Sequence, residues 1–111
     1  MKKPATSVKY DNFIIGQLKK DPRFLQSYIN EALSDENEDP RVVLDMLRNV
    51  ADATGGIRHL AVVSKLNRQN LYKTLSTKKG NPEFFTINKI IHGLGYHFKI
   101  EKNQRQLAAA K

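Results

Sequence analysis

The chain has 111 residues, of which 40% are hydrophobic and 27% charged, the size and balance of one folded domain rather than a disordered chain. It contains no cysteine, which excludes disulfides, Cys-ligated zinc, iron–sulfur clusters and a thiol nucleophile, and no apolar run approaches the ~18 residues of a membrane span. Its formal net charge of +8 directs attention to polyanionic partners, nucleic acid first.

From the N-terminus, MKKPATSVKYDN carries basic residues but no apolar segment behind them, so no secretory signal is expected and the location should be cytoplasmic. Tyr10, Phe13, Ile14 and Leu18 have helical spacing, interrupted by Gly16. Residues 1–20 therefore read as an arm, either helical or extended, that docks on its own core or orders on a partner.

Asp21-Pro22 opens the first secure helix, because the carboxylate caps free N–H groups and proline at the first helical position has none to waste. Phe24, Leu25, Tyr28, Ile29, Ala32 and Leu33 then form one apolar stripe, which runs into the acidic linker SDENED. Asp39-Pro40 repeats the opening, with Val43, Leu44, Leu47, Val50 and Ala51 facing inward and Gly55-Gly56 as the stop.

Three short helices are predicted next: Ile57, Leu60 and Ala61 on the first, Leu71 and Leu75 on a second capped by Asn67, and Ile87, Ile90, Ile91 and Leu94 on a third capped by Thr86. The stretch YHFKIE at 96–101 alternates apolar and polar residues, which predicts a strand. The expectation is thus an all-α, five-helix domain over 21–101 with one short C-terminal strand, followed by a basic tail at 102–111.

The charge is unevenly spread. Residues 21–56 hold three basic and eight acidic residues, net −5, whereas residues 57–80 hold six basic and no acidic residue. This acid-free block coincides with a helix–turn–helix layout. On a helical wheel with Leu71 and Leu75 inward, Gln69, Lys73 and Ser76 point farthest out, Asn70 and Tyr72 flank them, and Arg68 sits in the first turn. Arg, Lys, Gln and Asn are the residue types that read base edges, and Lys78-Lys79 follow where phosphates would lie.

Leu60-Ala61, Leu66-Asn67, Leu71, Leu75, Gly80-Asn81-Pro82, Thr86-Ile87, Lys89-Ile90 and Leu94-Gly95 together resemble the phage-repressor (Xre/Cro) helix-turn-helix. With the Asp21-Pro22 helix, VADATGG at 50–56 and NLYKTLS at 70–76, the likeness extends over about residues 10–101 to HigA-like addiction-module antidote proteins. The resemblance implies a homodimeric antitoxin that binds its own operator and neutralises a RelE-like ribonuclease toxin. It maps base contacts onto Arg68, Gln69 and Lys73, a capping and phosphate role onto Asn67, and phosphate contacts onto Arg58, Lys78 and Lys79. One departure is Lys65, where the fold commonly has glycine because the turn needs positive φ.

Tyr96, Phe98 and Ile100 give the predicted strand an apolar face, which suggests pairing with a second copy ahead of pairing with residues 5–10 of the same chain or with a toxin's sheet edge. Phe13, Ile14 and Leu18 are the candidate toxin contacts. His59, His92 and His97 lack ligand spacing, so no metal or other cofactor is expected; Asp35, Glu36, Glu38 and Asp39 read as a solvated linker. Ser64, His59 and Asp52 lack the loops of a hydrolase triad, so no catalysis is expected. Gly55-Gly56 lacks the rest of a phosphate-binding fingerprint, and Phe84-Phe85 reads as a core wedge.

Overall fold

The computed structural model describes residues 7–34, 39–76 and 83–102, and these contain six helices: α1 (Ser7–Lys20), α2 (Pro22–Ala32), α3 (Pro40–Ala53), α4 (Gly56–Ser64), α5 (Arg68–Thr74) and α6 (Phe84–Gly93). Helices α1, α2 and α3 pack on one another, α4 follows against α3, and α5 and α6 both pack on α4. The all-helical expectation holds, with one helix more than predicted.

Two aspartates act as the sequence suggests. The Asp21 side chain accepts from the Arg23 and Phe24 N–H groups, and Asp39 accepts from that of Arg41. The Arg41 guanidinium also donates to the Asp39 carboxylate, and with the Arg41 backbone N–H it holds that carboxyl below its ordinary range. The core is continuous across five helices: Ile29 from α2, Leu44, Leu47, Val50 and Ala51 from α3, Leu60 and Ala61 from α4, Leu71 and Leu75 at α5, and Ile87, Ile90 and Ile91 from α6.

The segment left open between helix and arm is a helix. Ile14 and Leu18, one turn apart, are buried, whereas Tyr10 and Phe13 on the same helix are exposed. Asn49 adds a polar tie: its buried side-chain amide donates to the Tyr28 hydroxyl at 3.0 Å and reaches Asp11 Oδ1 at 3.5 Å, so one residue of α3 touches both α1 and α2. Gly16 does not break α1, and a Cβ built there meets nothing within 4 Å. A mid-helix glycine without a packing role costs backbone entropy, so Gly16→Ala should stabilise the fold by about 0.5–1 kcal/mol. A thermal melt that is unchanged or lowered would contradict this.

The C-terminal region departs from expectation in two ways. Helix α6 starts at Phe84 after Glu83, one turn before Thr86, and Phe84 and Phe85 lie in solvent rather than in the core. The predicted strand is absent: residues 96–102 form neither strand nor helix. Tyr96 instead closes α6, donating its N–H to the Ile91 carbonyl at 3.0 Å, and packs on the core. Beyond it, no described segment offers a ladder partner. Phe98 turns to the Phe84 ring, 5.3 Å between centroids, and Ile100 is almost fully exposed.

Candidate nucleic-acid interface

The turn between α4 and α5 sets the geometry of the basic face. Ser64 is the last residue of α4, and Lys65 takes the left-handed conformation at φ 57°, ψ 42°. The Lys65 N–H donates to the Val62 carbonyl (3.2 Å) and the Leu66 N–H to the Ala61 carbonyl (2.9 Å). This reciprocal pair is a Schellman cap, with half-buried Leu66 packed on the core beneath it. The turn is therefore made as glycine would make it, and the non-glycine residue costs on the order of 1 kcal/mol.

Asn67 restarts the chain as a helix: its Oδ1 accepts from the N–H groups of Gln69 (2.9 Å) and Asn70 (3.1 Å). That oxygen is committed to capping, so only the side-chain NH₂ is left for a phosphate. Leu71 and Leu75 anchor the inner side of α5 in the core. Arg68, Gln69, Asn70, Tyr72 and Lys73 are consequently exposed, as is Arg58 on α4. Ile57, Arg58, Arg68, Gln69, Tyr72 and Lys73 line one open concavity of about 610 Å³ between the two helices. Lys78 and Lys79 lie outside the described residues.

Sequence reasoning missed Arg48. Its guanidinium lies on α3, pairs with Asp45 one turn away, and donates to the Leu75 carbonyl at 2.9 Å, where α5 ends. It satisfies a carbonyl that the helix leaves unbonded and fixes the far end of α5 to α3. The i, i+3 spacing of Asp45 and Arg48 was visible in the sequence; the acceptor 27 residues away was not.

The remaining residues considered from sequence are placed as follows. Among the described residues, no group of three His, Asp or Glu side chains is placed to hold a metal ion. Buried Ser64 has no hydrogen-bond partner there for its hydroxyl, while His59 and Asp52 are exposed. Of the candidate toxin contacts, Phe13 is exposed but Ile14 and Leu18 are turned inward. No described helix is long and apolar enough to cross a membrane.

Residues 9–102 match a family model described as "Probable addiction module antidote protein". The chain belongs to this antidote family. The match begins two residues into α1 and takes in α2 to α6 whole and the segment after α6, so the membership applies to nearly the whole described fold. An antidote is a binding protein, not an enzyme, and family membership implies a role as antitoxin with a toxin as partner. No curated protein and no solved structure matches the chain.

Proposed function

We propose that the chain is a sequence-specific DNA-binding antitoxin that represses its own operon and neutralises a RelE-like ribonuclease toxin. The observation that carries the DNA half is the exposed face of Arg58, Arg68, Gln69 and Lys73, anchored from behind by Leu71 and Leu75, within a block that holds no acidic residue. Arg68, Gln69 and Lys73 read bases, while Arg58, Asn67, Lys78 and Lys79 serve phosphates. A mobility shift on the DNA upstream of the chain's own coding sequence, against scrambled duplex over a salt series, tests this. Each phosphate contact should add roughly 0.9 to the log–log salt slope. Equal affinity for both duplexes would favour a protein-interaction module that keeps the helix-turn-helix shape without an operator.

The toxin half follows from family membership and charge. The acidic stretch 21–56, net −5 from three basic and eight acidic residues, suits a basic toxin surface, and Phe13 offers an exposed apolar contact on α1. Co-expression with any short, basic reading frame found beside this chain's own tests it: toxicity undiminished by this chain would remove the antitoxin role.

Operator recognition by a homodimer needs a self-complementary surface, and the exposed ring pair of Phe84 and Phe98, with Tyr96 and exposed Ile100 on the same C-terminal segment as Phe98, is our candidate. Residues 81–101 carry two charges of each sign, so two copies of a +8 chain could meet there without net repulsion. Two recognition helices would then span half-sites about 34 Å apart. Phe98→Asp should convert the dimer to monomer in sedimentation, weaken operator binding by at least tenfold, and leave the helical circular-dichroism signal intact. A wild-type chain that sediments as a monomer at tens of micromolar and still binds operator would remove this assignment.

A further inference from the structure

The concavity between α4 and α5 is more than a cluster of cations. Half-buried Ile57, in the first turn of α4, and Tyr72 line it together with Arg58, Arg68, Gln69 and Lys73. Tyr72 is 70% exposed, an aromatic ring left in water within a basic face. Cations suffice for phosphates, and Arg, Lys and Gln suffice for polar base edges; neither needs a tyrosine ring beside an isoleucine. The 5-methyl of thymine is the one apolar group that base edges present in the major groove. Exposed Gln69 and Lys73 line the same concavity, so Ile57 and Tyr72 share it with two of the residues assigned above to base edges.

We propose that Tyr72, with Ile57 behind it, forms a methyl-reading contact that selects thymine at one position of the bound DNA. The proposal rests on the DNA-binding reading above, and its test separates the two. The full-length chain is first used to select its preferred duplex from a random pool. Each thymine of that duplex is then replaced in turn by deoxyuridine, which keeps the base pair and removes only the methyl group. Burying one methyl corresponds to roughly three- to fivefold in affinity, so a loss of that size is expected at one thymine per half-site. In Tyr72→Ala, thymine and deoxyuridine should bind alike at that position, while Tyr72→Phe, which keeps the ring, should retain the preference. Because Tyr72 is exposed, the variants should melt as the wild type does.

Tight binding to the selected duplex with no deoxyuridine effect at any position overturns the methyl contact but leaves DNA recognition standing. A deoxyuridine effect that persists in Tyr72→Ala assigns the methyl to another residue. A uniform loss over all duplexes in Tyr72→Ala, with no deoxyuridine effect, places the ring on deoxyribose instead. If the pool yields no preferred sequence, sequence-specific DNA binding itself fails, and this contact with it.

Discussion

Gln69→Ala should lower affinity for the preferred duplex ~5- to 150-fold, the range that corresponds to one bidentate base contact of about 1–3 kcal/mol. Affinity for random duplex should change little. The asymmetry follows from position. The Gln69 backbone N–H is held by Asn67, so the start of α5 is fixed while its carboxamide projects outward. The substitution touches neither the cap nor the core, and alanine is at least as good a helix former as glutamine. Stability should therefore be unchanged, and any affinity loss belongs to the contact. Arg68→Ala should behave similarly, with a further fall in salt slope if the guanidinium also touches a phosphate. Titrations of both variants on preferred and random duplex read the difference; parallel losses on the two would show that these side chains do not read bases.

Gly93→Ala should be the most damaging of the single-methyl changes. A Cβ at Gly93 would lie 2.7 Å from Ser64 Oγ, 2.8 Å from the Val63 carbonyl oxygen and 2.9 Å from Ser64 Cα. Two of those three atoms are backbone, so no rotamer change relieves the overlap and α4 and α6 must separate. Overpacking of this kind costs about 1–3 kcal/mol, against which the better helix propensity of alanine returns only about 1. A lowered melting temperature is expected, by ~4–8 °C for each kcal/mol of net loss in a domain of this size. Ser64→Ala in the same chain should not restore it, because the carbonyl and Cα remain. Since α4 carries the turn into α5, operator affinity should fall as well. Gly16→Ala, in open space, is the control that should move the melt the opposite way.

What could be read from sequence was what is decided locally. Asp21, Asp39 and Asn67 cap helices through N–H groups two or three residues away, so their roles follow from a few neighbouring side chains. The left-handed turn at Lys65 follows from the resemblance to the phage-repressor helix-turn-helix and not from the residue itself, since lysine is not what that turn prefers. The misreadings concern partners distant in the chain. Alternation in YHFKIE describes a residue period, and a period alone does not supply a second strand. Phe84-Phe85 was assigned inward because aromatic pairs between helices are commonly core, yet Ile87, Ile90 and Ile91 already fill the inner side of α6. The role of Arg48 depends on the end of α5, 27 residues away, which no local pattern reveals. The outward-facing set on α5 needed only the positions of Leu71 and Leu75, which is why so many candidate contacts lie on one surface.

The attachment of α1 has a consequence for how the molecule opens. Ile14 and Leu18 are buried, but they stand outside the continuous core that joins α2 to α6, and among the described helices α1 packs only on α2 and α3. Its release would expose two aliphatic side chains and one amide tie while leaving the support of α5 in place. Local opening of a peripheral element costs less than global unfolding, so backbone amides of α1 should exchange with solvent before that of Leu71. A chain built this way would present two surfaces that open at different cost: a peripheral helix that can peel first, and a recognition face held by the core of α3 to α6.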